Sequence, residues 1–168
     1  MFPDDVIAAA SALLDACRAA GLKIVTAESC TGGLLAGALT EVVGASDVVD
    51  CGFITYSNDA KSGTLGVAEE LIAKHGAVSD VVAREMAIGA LEHSNAGIAI
   101  AVTGVAGPTG GTSAKPVGLV YIAVQRLGRE PVIKECHFGD IGRSAVRLAT
   151  VREAIQMALS AATGKDPG

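Results

Sequence analysis

The hydrophobic positions along this chain follow two patterns, one typical of amphipathic helices and one of buried strands. Apolar spacing and helix-end signals, such as the N-cap residue Ser79, predict helices at residues 4–20, 32–43, 79–93 and 143–162. Short apolar runs predict five strands, at residues 22–27, 48–56, 97–103, 117–126 and 131–138. A polar turn is predicted at Ser57–Lys61, with short helical pieces after it.

Helices that alternate with buried strands are typical of an α/β fold with a layered sheet. A short turn at Gly128 joins the last two strands, so we expect them to pair antiparallel and make the sheet mixed. The length predicts a single domain over residues 1–168. Polar, glycine-bearing turns follow three strands, at 28–33, 57–61 and 104–111. Ligands bind beyond the carboxyl ends of such strands, so these turns are expected to converge on one site.

Composition narrows the class of partner. Half of the residues are hydrophobic, the net charge is −5 and aromatic residues make up only 3%. An acidic chain with few aromatic side chains is a poor nucleic-acid binder, so we expect a small-molecule substrate instead. No apolar run reaches the length of a membrane span, and acids replace basic residues near the start, which favours a cytoplasmic protein without membrane contact. The apolar composition favours a homo-oligomer.

The four cysteines are far apart in the sequence. They form no C-x-x-C pair, and only one histidine, His137, adjoins a cysteine. Zinc sites require closer ligand spacing, so we expect neither a metal nor a disulfide, and interpret the cysteines as reduced thiols, mostly buried: Cys17, Cys30, Cys51 and Cys136.

The first polar turn places Ser29 between a strand and the start of a helix. A serine there has free backbone N–H groups beside it, which suit an oxyanion or a phosphate, so Ser29 is a candidate nucleophile. The alternative is an N-cap serine that only satisfies the helix end. Cys30 is either a rival nucleophile or a buried thiol.

The second polar turn contains Tyr56 and Lys61. A lysine becomes a general base when desolvation lowers its pKa towards neutrality. The alternative is an ordinary solvated lysine on the surface. Tyr56 ends an apolar strand, so its ring either packs with a solvated hydroxyl or contributes to the site.

Two further segments have residues suited to a ligand. The loop 103–112 has four glycines within eight residues, which lets its backbone approach a ligand closely, although it also suits an ordinary surface loop. It matches neither the P-loop nor the dinucleotide-binding pattern. Arg143 and Arg147 are four residues apart and share a helix face, which suits either a phosphate clamp or two solvated arginines.

These four segments, in this order, resemble the C-terminal domain of the CinA family, the nicotinamide-nucleotide amidohydrolases. The resemblance extends over about residues 22–160, and the chain is expected to be the stand-alone form of the domain. The matching stretches are TAESCTGGLLAGALT (26–40), GFITYSNDAK (52–61), LGV (65–67), GAVS (76–79), AVTGVAGPTGG (101–111) and KPVG (115–118).

The resemblance implies a three-layer α/β/α sandwich with a mixed, mainly parallel sheet. It also implies hydrolysis of the carboxamide of nicotinamide mononucleotide to nicotinate mononucleotide and ammonia, in pyridine nucleotide salvage, with no metal or cofactor. By position in the matching motifs, Ser29 is the nucleophile and Lys61 its general base, with Tyr56 as a third catalytic residue. The implied substrate-binding residues are Thr31, Gly32, Thr103, Gly104, Gly107, Gly110 and Arg143.

The arginine segment departs from the family pattern. The family usually continues from Gly-Asp directly to the first arginine, whereas Ile141 and Gly142 intervene here. The spacing between the two arginines is kept, so the family arginines correspond to Arg143 and Arg147.

A non-catalytic nucleotide-binding or scaffold protein of the same fold, linked to competence or the DNA damage response, is the main alternative to an enzyme. The presence of Ser29, Tyr56 and Lys61 together favours the enzyme.

Overall fold

The computed structural model describes residues 1–164, in which a five-stranded sheet lies between two layers of helices. The strands are β1 Ile24–Glu28, β2 Val49–Ile54, β3 Ile98–Gly104, β4 Leu119–Arg126 and β5 Val132–His137. The helices are α1 Asp4–Ala20, α2 Leu34–Thr40, α3 Asn58–Leu65, α4 Glu69–His75, α5 Asp80–Glu92 and α6 Arg143–Thr163, and a 3₁₀ turn spans Ala45–Asp47.

The sheet has the strand order β2-β1-β3-β4-β5. Strand β1 pairs parallel with both β2 and β3, whereas β4 runs antiparallel to β3 and β5. Four of the five strands therefore point the same way, which confirms the mixed, mainly parallel sheet of a three-layer α/β/α fold. Because β1, β2 and β3 are parallel, the turns that follow them meet at one edge of the sheet.

The two faces of the sheet carry side chains of different size. On β3, Ile98, Ile100 and Val102 face the core formed with α1, α2 and α6. The alternate positions, Ala99 and Ala101, face the second core, which contains α5. Alanines on that face let α5 lie close to the sheet.

Helix α3 packs directly against α5 at Gly89. A Cβ added at Gly89 would lie 2.0 Å from the backbone oxygen of Leu65, at the end of α3. Glycine at this position therefore allows the backbones of the two helices to approach each other. This contact matters for the site because α3 also carries Lys61.

The predicted polar turn at Ser57–Lys61 is wrong. Helix α3 begins at Asn58, and the Ser57 hydroxyl accepts a hydrogen bond from the Ala60 N–H as its N-cap. A capped first turn is rich in short polar residues, as a loop is, and the apolar contact that stabilises this helix lies further on, at Leu65.

Helix α2 begins at Leu34, two residues later than predicted, because Gly32 and Gly33 have left-handed backbone angles with φ of 57° and 95°. The other predicted strands and helices lie within a few residues of their observed bounds. Within residues 1–164, no helix is both long enough and apolar enough to cross a membrane.

We predict that Gly89→Ala lowers the free energy of unfolding by about 1–3 kcal/mol, because the new methyl group would collide with the Leu65 carbonyl. Gly63→Ala in α3 is the matched control. Nothing lies within 4 Å of its added Cβ, so better helix propensity should raise stability by about 0.5–1 kcal/mol. Urea denaturation measures both changes, and a loss of stability in Gly63→Ala as large as in Gly89→Ala would contradict the packing argument.

Candidate active site

Ser29 lies in the turn between β1 and α2, which we call the nucleophile turn (residues 29–33). Its backbone N–H donates to the Val102 carbonyl of β3, so the residue stays attached to the centre of the sheet. Only 9% of Ser29 is exposed. The hydroxyl does not cap α2: the N-cap of that helix is Gly33, without a side-chain hydrogen bond.

The cap of α2 comes instead from Glu28, a residue that the sequence interpretation missed. The fully buried Glu28 carboxylate accepts hydrogen bonds from the backbone N–H groups of Gly33, Leu35 and Ala36, and from the Thr26 hydroxyl. These backbone groups are therefore occupied and cannot bind a substrate anion. The available signal was an acid at the end of a buried strand, in the turn that leads into a helix, where a carboxylate can accept the free N–H groups of the first helical turn.

Lys61 reaches the nucleophile turn from α3. Its Nζ atom lies 3.0 Å from Ser29 Oγ and 2.8 Å from the Thr55 carbonyl oxygen, with the Tyr56 carbonyl oxygen at 3.5 Å. The side chain is almost completely buried, with 1% of the residue exposed. Lys61 is therefore not the solvated surface lysine that its polar sequence context also allowed.

Burial lowers the pKa of Lys61 from its ordinary value, because the charged ammonium loses its hydration. A neutral amine has two N–H groups and one lone pair. The Thr55 and Tyr56 carbonyls can accept the two N–H groups, which leaves the lone pair for the Ser29 hydroxyl. This arrangement suits transfer of the Ser29 proton to Lys61.

Cys30, the alternative nucleophile, is 5% exposed. Burial raises the pKa of its thiol to about 12. The reactive form of cysteine is the thiolate, so at neutral pH this side chain is an unreactive buried thiol.

Ser29 and Lys61 lie in a cavity of about 360 Å³ at the carboxyl edge of the sheet. Eight of the ten predicted site residues line this cavity: Ser29, Tyr56, Lys61, Thr103, Gly104, Gly107, Gly110 and Arg143. The other two, Thr31 and Gly32, lie outside its lining, and the Gly32 N–H already donates to the Ser29 carbonyl. Asn58, Ala77 and Val78 line the cavity as well, and no sequence motif had assigned them a role.

The glycine-rich loop that follows β3 forms one wall of the cavity. The Val105 N–H donates to the Leu119 carbonyl of β4, and the Thr103 hydroxyl donates to the Ala77 carbonyl. Within residues 1–164, the N–H groups of Ala106, Gly107 and Gly110 donate to no protein acceptor. Free backbone donors in a cavity wall suit an anionic ligand group.

The two predicted arginines have different surroundings. Arg143 lines the cavity and donates to the Gly107 carbonyl and to the Tyr56 hydroxyl, at 3.0 and 2.9 Å. Arg147 lies outside the lining and donates to the carbonyls of Cys30 and Thr31, at 3.1 and 2.8 Å. Only Arg143 is therefore placed to contact a ligand.

The cavity contains no cluster of metal ligands. In the part of the chain that the structure describes, no three His, Cys, Asp or Glu residues are grouped so that they could hold a metal ion. The polar groups of the cavity are instead backbone N–H groups and uncharged or basic side chains: Ser29, Tyr56, Asn58, Lys61, Thr103, Thr109 and Arg143.

Comparisons with known proteins agree with this architecture. The family model described as the CinA C-terminal domain matches residues 7–162. The crystal structure of the competence/damage inducible protein CihA from Agrobacterium tumefaciens superposes with a TM-score of 0.94 at 51% identity, covering 95% of this chain and 97% of that chain.

Among curated proteins, the chain is 46% identical over 142 residues to the nicotinamide-nucleotide amidohydrolase PncC of Escherichia coli strain K12, which covers 84% of this chain and 85% of PncC. It is 57% identical over 107 residues to a CinA-like protein of Chloroherpeton thalassium, covering 64% of this chain and 26% of that protein. The chain thus spans about a quarter of the length of several curated relatives that it matches.

We predict that the lowered pKa of Lys61 makes stability depend on pH. Between the pKa in the folded protein and the ordinary lysine pKa of about 10.4, the unfolded chain binds the proton and the folded chain does not. Stability of the wild type should therefore rise with pH across this window, relative to Lys61→Met, by at most about 1.4 kcal/mol per pH unit.

Chemical denaturation at several pH values measures the difference. Lys134→Met is the control, because the partner Glu153 raises the pKa of this exposed lysine and any slope should have the opposite sign. If the difference in unfolding free energy between the wild type and Lys61→Met does not change with pH, Lys61 has the same pKa in the folded and the unfolded protein.

Proposed function

This chain belongs to the CinA C-terminal domain family, and from this premise we propose that it hydrolyses the carboxamide of nicotinamide mononucleotide. The products are nicotinate mononucleotide and ammonia. The relative PncC is named for this class of reaction, and the chain covers 85% of it. The observation that carries the proposal is the 3.0 Å hydrogen bond between buried Lys61 and Ser29 inside the cavity.

In the first step, Lys61 Nζ takes the proton of the Ser29 hydroxyl while Ser29 Oγ attacks the carboxamide carbon. The product is a tetrahedral intermediate with a negative oxygen. The 3.0 Å separation is within the range required for direct proton transfer, and the lowered pKa of Lys61 supports a neutral amine before the reaction.

The oxyanion needs hydrogen-bond donors beside Ser29. Glu28 occupies the N–H of Gly33, and the Gly32 N–H donates to the Ser29 carbonyl. The N–H groups of Cys30 and Thr31 remain, since neither has an acceptor within residues 1–164. Cys30 lines the cavity, whereas the buried Thr31 adjoins it just outside the lining. We therefore assign the oxyanion to the Cys30 N–H, with the Thr31 N–H beside it as the second donor, and Gly32 takes part through the turn that it closes.

Collapse of the intermediate breaks the carbon–nitrogen bond, and the Lys61 ammonium gives its proton to the departing ammonia. The Ser29 ester that remains is hydrolysed by water, which passes a proton to the same amine. When the second tetrahedral intermediate collapses, the ester bond to Ser29 breaks, Ser29 Oγ takes the proton back from the Lys61 ammonium, and the nicotinate product leaves. No step requires a metal or a cofactor, and the reaction belongs to cytoplasmic pyridine nucleotide salvage.

The substrate phosphate is assigned to the glycine-rich loop and Arg143. The free N–H groups of Gly107 and Gly110 and the Arg143 guanidinium all border the cavity. The Tyr56 hydroxyl accepts a hydrogen bond from Arg143 and donates none within residues 1–164, so its proton is available to the substrate or to the leaving group. Thr103 and Gly104 shape the wall between this region and Ser29.

We predict that Ser29→Ala abolishes ammonia release from nicotinamide mononucleotide while ligand binding persists. Lys61→Ala should lower kcat by roughly 10²–10⁴, the usual effect of removing a positioned general base. Lys61→Arg should not restore activity, because a guanidinium stays protonated. In the wild type, kcat/KM should rise with pH through the lowered pKa of Lys61.

Cys30→Ala is the matched control for Ser29→Ala, because the thiol of Cys30 is buried and protonated next to Ser29. It should retain most of the activity. A dead Cys30→Ala beside a fully active Ser29→Ala would assign the nucleophile to the thiol and overturn the mechanism. A wild type that binds the nucleotide without releasing ammonia would instead favour the scaffold protein.

We also predict that Arg143→Met raises KM for nicotinamide mononucleotide by about 10–100-fold, because a charged hydrogen bond to phosphate is lost. Nicotinamide riboside lacks the phosphate, so the wild type and Arg143→Met should both hydrolyse it poorly and with the same kcat/KM. Arg152→Met on the same helix is the control: Arg152 pairs with Asp5 away from the cavity. An equal loss for both substrates would show that Arg143 does not bind the phosphate.

A further inference from the structure

Arg147 extends from α6 to the nucleophile turn and binds its backbone. Nε donates to the Cys30 carbonyl at 3.1 Å, and Nη2 donates to the Thr31 carbonyl at 2.8 Å. The guanidinium thus spans two successive peptide groups, Cys30–Thr31 and Thr31–Gly32, in the turn after Ser29. Because Arg147 does not line the cavity, these contacts are made from behind the turn.

A peptide group is planar, and in its trans form the C=O and N–H bonds point in opposite directions. The only cis peptide within residues 1–164 is Gly107–Pro108, so the peptides of the nucleophile turn are trans. Holding the Cys30 carbonyl therefore fixes the direction of the Thr31 N–H, which points away from the guanidinium.

The second contact acts through one more peptide. Holding the Thr31 carbonyl fixes the Gly32 N–H, which donates to the Ser29 carbonyl at 3.0 Å. That hydrogen bond in turn fixes the Ser29–Cys30 peptide and the direction of the Cys30 N–H. Arg147 thereby determines the orientation of two N–H groups that have no acceptor within residues 1–164 and that flank the nucleophile.

We propose that Arg147 is a positioning residue that orients the Cys30 and Thr31 N–H groups to receive the oxyanion, rather than a ligand of the substrate phosphate. The inference rests on the proposed acyl transfer by Ser29. Its physical basis is twofold. The planar guanidinium holds two carbonyls at once, and its charge polarises the Cys30–Thr31 peptide, which strengthens the Thr31 N–H as a donor.

The surroundings of Arg147 support this role over phosphate binding. Two of its nitrogens are already engaged with carbonyls, and a Cβ at Gly32 would lie 3.3 Å from Nη2, so the turn packs tightly on the guanidinium. Arg143, four residues earlier, faces the cavity instead. One helix thus offers one arginine to the ligand and the other to the nucleophile turn.

The test compares Arg147→Lys with Arg152→Lys as the control. Arg152 also lies on α6, but its side chain pairs with Asp5. An ammonium cannot hold two carbonyls in the fork geometry of a guanidinium. Arg147→Lys should lower kcat by about 10–100-fold while KM and the Kd of nicotinate mononucleotide change by less than about twofold. Arg152→Lys should leave all three values unchanged.

A second measurement does not depend on the nucleotide. Acetylation of Ser29 by p-nitrophenyl acetate, followed by peptide mass spectrometry, also passes through an oxyanion. It should slow by a similar factor in Arg147→Lys, and melting curves should show that the variant is folded.

The outcomes separate the two hypotheses. Unchanged kcat in Arg147→Lys, or a raised KM at unchanged kcat, overturns the positioning role while amide hydrolysis stands. An equal loss in Arg152→Lys also overturns it, since a general effect on α6 would then suffice. A wild type that ignores the nucleotide but acetylates Ser29 in an Arg147-dependent way refutes the substrate and supports the positioning role. A wild type that does neither overturns both.

Discussion

Burial of the Lys61 amine beside the Ser29 hydroxyl is the constraint on which the arrangement of the cavity depends. A charged amine would lose its hydration there, so the site must supply hydrogen-bond acceptors at fixed positions. They are the Thr55 and Tyr56 carbonyls, just beyond the end of β2, and the Ser29 hydroxyl lies beside the amine, just beyond the end of β1. The parallel pairing of these strands brings the carbonyls and the hydroxyl to one edge. Close approach of α3 to α5 at Gly89 then holds the helix that carries the lysine.

The nucleophile turn is held by opposite charges acting on opposite ends of its peptide groups. The Glu28 carboxylate accepts N–H groups at the start of α2, and the Arg147 guanidinium donates to two carbonyls just before it. An uncapped helix start would present several competing donors to an anion. Because Glu28 occupies those on the helix, the turn donors that have no acceptor within residues 1–164 are the two immediately after Ser29. The buried acid next to Ser29 thus restricts where an anionic oxygen can bind at this turn.

The α/β alternation and the closing hairpin followed from local pattern, because each depends on apolar spacing and turn residues within a short stretch. The convergence of the three segments after β1, β2 and β3 followed from the general placement of ligands at the carboxyl ends of parallel strands, although the second segment is the start of α3 and not a turn. The state of Lys61 did not, since its burial is produced by strand pairing and by a glycine in another helix, Gly89. The difference between Arg143 and Arg147 was equally hidden: their spacing puts both on one helix face, and only the packing of α6 determines which of them borders the cavity. Glu28 was missed because an acid in a buried strand is explained only by the helix that it caps.

The scarcity of aromatic side chains has a consequence for recognition. Among the residues that the structure describes, Tyr56 is the only aromatic one in the cavity lining, so the wall offers little surface on which a pyridine ring could stack. Glycines and backbone N–H groups make up much of the wall instead, from Gly104 to Gly110. Directional donors of this kind discriminate by the position of acceptor oxygens rather than by ring area. A ligand with an anionic group at one end and a carbonyl at the other therefore fits this cavity better than a flat apolar molecule of the same volume.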